Sequence, residues 1–292
     1  MYEGSINWYI VPVLGAVKVP MLTPADVTTL VDHIRTAKSV KGRDGLSART
    51  AAIAVGTLKA ATAWALRNGL VGRDPLLGVQ RPRTVQVPMK VWTDEQARAF
   101  LASVRDDRLE VAWALFLTRG PRRGDVAGMQ WEDFDLAAKT WHVNRTRIAV
   151  KGKAADSTPK TAAGRRQIEL DDKLVAILRT HKARQAAEKL AAGTAYEDGH
   201  YLIADERGRP YYPESLSVWF GKRVTLLGLS RIRLHDTRHT AASLMLAAGE
   251  PVKVVSELLG HSSVTITLDT YAHLLPGMAE KAGAALSARL LA

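Results

Sequence analysis

Three features of this 292-residue chain predict a mainly helical, two-domain α+β protein with a small antiparallel β-sheet in its second domain. Apolar residues recur at helical spacing on both sides of one Pro-punctuated, basic stretch near residues 81–90. Between Gln130 and Leu170 that spacing gives way to short alternating or β-branched runs separated by turn residues, and then helices resume. The length also exceeds the roughly 100–200 residues usual for one domain, which favours two.

In chain order, Thr23 and Pro24 supply an N-cap and a first-turn proline, and Val27, Leu30, Val31 and Ile34 follow on one face. They predict an amphipathic helix over Leu22–Val40. A second helix is predicted after Ser47, through Ile53, Leu58, Ala61, Trp64, Ala65 and Leu66, with Gly69 as its stop. The basic loop KSVKGRDGLSAR separates the two. Asp74-Pro75, Gly78 and RPRTVQVPMK then read as interdomain linker. Thr93 and Gln96 stand in capping-box register and open a helix to Val104, and helical periodicity returns from Leu109 to Leu117. WEDFDLAAKTWHV, NRTRIAVKG and RRQIEL are the strand candidates. Helices are predicted again near Asp172–Leu190, Pro213–Leu226, His235–Ala248, Val252–Leu259 and Ala279–Leu291.

Composition removes several classes of function. The chain has no cysteine, which excludes a disulfide framework, a thiolate zinc site, an iron–sulfur cluster and a cysteine nucleophile; any metal would need His and carboxylates. No apolar run approaches the roughly 18–20 residues that span a bilayer. The N-terminal MYEGSINWYI lacks the basic-then-apolar plan of a signal peptide, so a reducing, cytoplasmic setting is expected. With 41 Lys and Arg against 29 Asp and Glu, the net charge is +12, which suits nucleic acid, an anionic membrane or an acidic protein as partner. Residues 1–85 hold 11 Lys and Arg against 5 Asp and Glu, so half of the net charge lies in under a third of the chain.

The stretch LHDTRHTAASLMLAAGEPVKVVSELLGHSSVTITLDTYAHLLP, residues 234–276, sets His235, Arg238, His261 and Tyr271 at defined intervals. A His and an Arg three apart share a helical face. They offer a phosphate a hydrogen-bond donor and a fixed cation, the Arg in forked geometry. Singly, each has an ordinary structural use: His235 as a locally bonded helix-start residue, Tyr271 as a half-buried aromatic with a satisfied hydroxyl. His235 and His239, four apart, also have the spacing of two ligands on one metal. The zinc-protease pattern, however, needs Glu at the second position, where Asp236 stands, and Arg238 would set a cation beside the ion. No metal and no other cofactor is expected.

The order and spacing of that stretch resemble the C-terminal signature of the tyrosine recombinases of the phage integrase type: His-x-x-Arg, then Leu-Gly-His, then a nucleophilic Tyr. The resemblance implies an upstream arginine, and TRGPRRGDVAGMQWEDFD is similar to the family's Thr-Gly-x-Arg-Arg-Gly-Glu box leading into Trp-Glu-Asp. That register assigns Arg122 to the active site and leaves Arg119 and Arg123 as solvated surface. Arg119 stands where Thr usually precedes Gly, and Asp125 replaces the usual Glu as the supporting carboxylate. DSTPKTAAGRRQIEL resembles the family's Pro-Lys-Thr hairpin and assigns Lys160, with Lys151 and Lys153 in the same hairpin as phosphate contacts or solvated side chains.

The resemblance implies a two-domain clamp around duplex DNA: residues 1–83 as a helical core-type DNA-binding domain, 84–91 as linker, 92–278 as catalytic domain and 279–292 as a helical tail. The expected DNA contacts are Lys38, Lys41, Arg43, Arg49, Lys59, Arg81 and Arg83. The chain opens inside what would be the first core-binding helix, which implies a compact integrase lacking an arm-type DNA-binding domain. AEKAGAALSARLLA is similar to the tail by which family members pack on a neighbouring subunit, although packing on its own domain fits the periodicity equally.

The implied chemistry is metal-free strand exchange. Arg122 and Arg238 would neutralise the non-bridging oxygens of a phosphodiester, with His261 adding a donor. A tyrosine hydroxyl of pKa about 10 is only on the order of 0.1% ionised at neutral pH, so His235 is expected to accept or relay its proton. Lys160 would protonate the leaving 5′ oxygen, and Tyr271 would carry a covalent 3′-phosphotyrosine. Paired exchanges through a Holliday junction, on double-stranded attachment core sites and within a homotetramer, would integrate or excise a phage genome in the cytoplasm of a bacterial host. The protein would be a monomer when free, with room for an accessory directionality factor. A type IB topoisomerase shares the phosphotyrosine chemistry, and a catalytically inactive DNA-binding regulator would share the fold; the intact set of six residues favours the recombinase.

Overall fold

A computed structural model of the protein describes residues 2–37, 45–84, 89–150, 152–158, 164–271 and 287–290. They belong to two compact units, Met1–Pro88 and Met89–Ala292.

The first unit is helical. Tyr2–Ser5 (α1) continues through a π-helical turn at Ile6–Ile10 into Val11–Leu14 (α2), followed by Pro24–Thr36 (α3) and Ala48–Arg67 (α4). Thr23 caps α3 reciprocally: its side chain accepts from the Asp26 N–H, and the Asp26 carboxylate accepts from the Thr23 N–H at 2.8 Å. The helix predicted to reach Val40 stops at Thr36. Ala37 turns extended, and the returning chain satisfies a last-turn carbonyl, with the Leu46 N–H donating to Ile34 O at 3.1 Å. Ser47 caps α4. Gly69, at φ +69°, ends it by letting the Leu70 N–H reach Ala65 O at 2.9 Å, a left-handed turn that disfavours a side chain. Ile10, Leu14, Leu22, Val27, Leu30, Ile34, Val55, Leu58 and Leu76 close the core between these helices.

The second unit contains Asp94–Ser103 (α5), Glu110–Arg119 (α6), Arg123–Ala127 (α7), the long Asp172–Ala192 (α8), Pro213–Leu226 (α9), Asp236–Ala247 (α10), Val252–Leu259 (α11) and Val264–Tyr271 (α12). The Thr93–Gln96 capping box opens α5. Helix α6 is buried from Val111 to Leu117 and forms the spine of the unit, which explains why its apolar residues run continuously instead of striping one face. Trp92, Phe100, Trp113, Phe116 and Phe220 gather around it with ring centroids 5.2–6.1 Å apart.

The region predicted as one sheet forms two. Phe134–Asp135 (β1), Thr140–His142 (β2) and Gln167–Glu169 (β5) make an antiparallel three-stranded sheet in the order β1-β2-β5, while Thr146–Val150 (β3) and Lys153–Ser157 (β4) pair separately. The two differ in burial: Trp141 and Ile168 sit in the core, whereas β3 and β4 have no fully buried residue. Alternation identifies strands but not their partners. As a consequence, Lys153 belongs to the β3–β4 hairpin. Among the described residues no helix is long and apolar enough to cross a membrane.

Candidate active site

The ends of α6 and α11, the start of α10 and the end of α12 converge on one cationic pocket of the second unit. Two glycines make the convergence possible. Gly120 terminates α6 at φ +60°, and a Cβ there would lie 2.7 Å from a Leu259 methyl. Gly260 terminates α11 at φ +69°. Each left-handed glycine offers its carbonyl to an arginine distant in sequence: Arg238 Nη1 donates to Gly120 O and Arg122 Nη2 to Gly260 O, both at 2.8 Å.

Arg238 lies in the first turn of α10 and is 4% exposed; Arg122 is half-buried at the N-terminus of α7. A third arginine, Arg166, is bonded to Leu258 O at 2.8 Å. Among the described residues only Asp125 faces this trio with a carboxylate, accepting from the Arg122 backbone N–H at 3.2 Å and from Arg166 Nη2 at 3.3 Å. Burial first, then repulsion by Arg122 and Arg166, pushes the Arg238 guanidinium down to about 9. Burial likewise lowers Arg166, although Asp125 opposes the shift. A buried surplus of positive charge held on carbonyl oxygens is costly unless an anion completes it.

His261 follows Gly260 and is fixed by a 2.7 Å bond between Nδ1 and the hydroxyl of buried Thr267. Burial, then Arg238 and Arg122, push the ring down to about 4, so it is neutral at neutral pH. In the tautomer in which the Thr267 hydroxyl donates to Nδ1, the ring's one proton sits on Nε2 as a hydrogen-bond donor. Tyr271 closes α12, only 1% exposed, against Ala242, Leu246, Val255 and Leu259. Burial pushes its hydroxyl up to about 12, against the downward pull of Arg238.

The structure thus brings together Arg122, Asp125, Arg238, His261 and Tyr271, and Asp125 makes its supporting bonds despite being shorter than Glu. Lys160 lies outside the described residues, as do Lys38, Lys41, Arg43 and most of the 279–292 tail. His235 precedes α10 on an exposed edge, where partial desolvation and Arg238 lower its pKa; its ring makes no hydrogen bond among the described residues. The side chain touching the Tyr271 hydroxyl is instead His239, whose Nδ1 is 2.6 Å away. One turn separates the two histidines, and α12 packs against the later one.

Arg119 and Arg123, expected as solvated surface, are tied down. Arg119 bonds Glu169 O at 2.8 Å and Asp171 at 2.9 Å, and Arg123 pairs with Glu214 at 2.8 Å. Each flanks a helix end close to a carboxylate, a partner that local sequence does not display. Asp236 is likewise held by Arg233 at 2.7 Å, and no group of three or more metal-ligating side chains occurs among the described residues. In the first unit, Arg49, Arg81 and Arg83 line one open groove on α4. Gly56 leaves room there for Arg81, whose Cζ is 3.0 Å from where a Cβ would stand. Lys59, in contrast, donates to the Val79 carbonyl.

Residues 90–277 match the Phage integrase family. The chain belongs to that family. Over 253 residues it is 30% identical to a tyrosine recombinase XerC-like protein of Caldanaerobacter subterraneus, covering 80% of this integrase-family chain and 64% of that protein. It is 27% identical over 214 residues to the ICEBs1 integrase of Bacillus subtilis, covering 73% and 58% of the two. Among solved structures, the Tn1549 transposon integrase in complex with transposon right end DNA has the same fold, with a TM-score of 0.73 at 22% identity, covering 96% of this chain and 89% of the other. A lambda integrase tetramer bound to a Holliday junction gives a TM-score of 0.63 at 18% identity, covering 92% and 70%.

Proposed function

We propose that this chain is a site-specific DNA recombinase that cleaves and rejoins strands through a 3′-phosphotyrosyl link on Tyr271. The observation that carries the reading is the buried surplus of cations: the guanidinium groups of Arg122 and Arg238, bonded among the described residues only to carbonyls, leave their remaining N–H groups for one phosphate. Those donors hold the non-bridging oxygens, and the His261 Nε2 proton adds a third interaction that strengthens as charge develops. Tyr271 attacks phosphorus, the 5′ oxygen leaves with a proton from Lys160, and the free 5′-hydroxyl of a second strand later displaces the tyrosine. One phosphodiester replaces another, so no nucleotide is consumed.

On this reading the first unit grips duplex DNA through Lys38, Lys41, Arg43, Arg49, Arg81 and Arg83. Lys59 does so less, because its ammonium is already engaged. Monomers assemble as a tetramer on paired core sites and pass through a Holliday junction to integrate or excise a mobile element, a phage genome or a transposon, in a bacterial cytoplasm, with direction set by an accessory factor or by the sites. The family match and the DNA-bound integrases of the same fold support this reading.

The test is covalent capture, in EDTA, of nicked duplexes from a randomised library. The wild type is expected to trap a duplex, and Tyr271→Phe to retain the same duplex without any adduct. An adduct in the variant, or one that needs a divalent ion, contradicts the assignment. Supercoil relaxation without strand exchange between duplexes would point to a topoisomerase.

A further inference from the structure

We propose, on the recombinase reading above, that Arg166 is a positioning residue for Arg122: it locks the start of α7 to the end of α11 and so keeps the Arg122 guanidinium aimed into the phosphate pocket. Arg166 is not itself a phosphate ligand. Its side chain is only 7% exposed, and all three of its guanidinium nitrogens are already bonded: Nε to Leu258 O at 2.8 Å, Nη1 to Gly164 O at 3.2 Å and Nη2 to Asp125 Oδ2 at 3.3 Å. Arg122 and Arg238, in contrast, each use a single guanidinium nitrogen on a carbonyl among the described residues.

The bonds form a closed ring. Arg122 is held at both ends, its backbone N–H on Asp125 Oδ2 at 3.2 Å and its Nη2 on Gly260 O at 2.8 Å. Arg166 grips the same two elements, sharing Oδ2 of Asp125 in α7 and taking Leu258 O in α11, two residues before Gly260. The last carbonyls of a helix lack partners within it and lie at the negative end of its dipole, which suits them to two guanidinium groups. The ring is also anchored from outside. Arg166 immediately precedes β5, and its carbonyl accepts from the Val143 N–H at 2.8 Å, continuing the β2–β5 ladder. The three-stranded sheet thereby sets the spacing between two helix ends that are distant in sequence.

Loss of Arg166 does more than loosen this ring. Asp125 keeps a buried carboxylate without its guanidinium partner, and a buried charge left in that way takes whatever counter-charge it can reach. The Arg122 guanidinium, three residues earlier, is such a charge. Its capture by Asp125 withdraws it from Gly260 O and from the phosphate, so the pocket loses positive charge although Arg122 is still present.

Single-turnover adduct formation by the full chain, at saturating concentrations of the duplex captured by the wild type, tests the assignment. Arg166→Met is expected to slow the adduct by about 10- to 100-fold, the scale on which an outer partner that orients a catalytic group acts, with DNA retention little changed. The decisive comparison uses a methylphosphonate at the cleavage point. It replaces a charged non-bridging oxygen by a methyl group and so removes much of the need for arginine charge. Arg122→Ala should lose far less on that duplex than on the phosphodiester, and Arg166→Met should follow it, with most of its deficit gone. Arg166→Met combined with Asp125→Asn strands no carboxylate and carries the same comparison where the single variant does not fold. A wild-type rate in Arg166→Met, or a deficit of equal size on both duplexes, overturns the proposal while leaving the phosphotyrosine reading intact. Absence of any adduct from the wild type overturns both.

Discussion

Arginine is used in opposite ways in the two units. Every ion pair among the described residues lies in the second unit, where Arg108, Arg119, Arg123, Arg166 and Arg223 each face a carboxylate. In the first unit Arg49, Arg81 and Arg83 are exposed and face none. Arg122 and Arg238 of the second unit depart from that pattern: they are buried or half-buried, and their guanidinium groups are bonded to backbone carbonyls. A carbonyl fixes a guanidinium without neutralising it, so these two keep their charge for a ligand, and the exposed cations of the first unit keep theirs by remaining in solvent.

Substitutions that exchange one class for another should sharpen this contrast, and the largest effect belongs to the pocket. Arg238→Ala is expected to slow adduct formation by about 10³-fold or more, with DNA retention little changed, because its hydrogen bonds strengthen only in the transition state. An equal loss in Arg119→Ala would erase the distinction between carbonyl-held and carboxylate-held arginines.

Arg166→Ala probes the same neighbourhood through stability. It strands Asp125 beside Arg122 after removing a pair whose side chains are 7% and 5% exposed, and a loss of about 3–5 kcal/mol is expected in denaturant unfolding. An unchanged midpoint would mean that the Arg166–Asp125 pair holds nothing in place.

Charge removal at Arg49, Arg81 and Arg83 together should weaken DNA binding and lower the salt slope by about one for each phosphate that is no longer neutralised. The rate of adduct formation at saturating DNA should remain that of the wild type. A slope that does not move would take the α4 groove off the DNA.

The smallest effect is one of pH. His261 is held at about 4 in the folded chain against about 6.5 when unfolded. The unfolded state therefore binds more protons in that window, and folding stability falls as pH drops from 7 toward 4. Buried His181, also lowered by burial, acts in the same direction. Thermal melts should show the decline in the wild type and a shallower one in His261→Gln.

Much of the pocket was legible because its parts are local patterns. His235 and Arg238 share a turn, Leu-Gly-His marks a helix stop followed by a pocket residue, and Thr23, Ser47 and Thr93 announce helix starts through short-range bonds. The parts that escaped depend on how elements separated by 30 to 140 residues dock. His239 could be weighed only as a metal ligand beside His235, because the helical phase that turns α12 toward the later histidine is set by packing against Ala242 and Leu246. Arg166 looked like the flank of a lysine motif, and its tie to Leu258 crosses 92 residues. The carbonyl anchors at Gly120 and Gly260 were hidden for the same reason, although both glycines stand in the motifs. Strand partners were equally non-local, which is why one predicted sheet became two.

If carbonyl-held arginines prepare a phosphate for Tyr271, the chemistry of the trapped bond must show it. The wild-type adduct would be digested with nuclease and protease and the peptides weighed by mass spectrometry. A single nucleotide joined through its 3′-phosphate to Tyr271 is expected, present in EDTA and absent from Arg238→Ala at early times. A 5′-linked nucleotide, or attachment to any residue other than Tyr271, would contradict it.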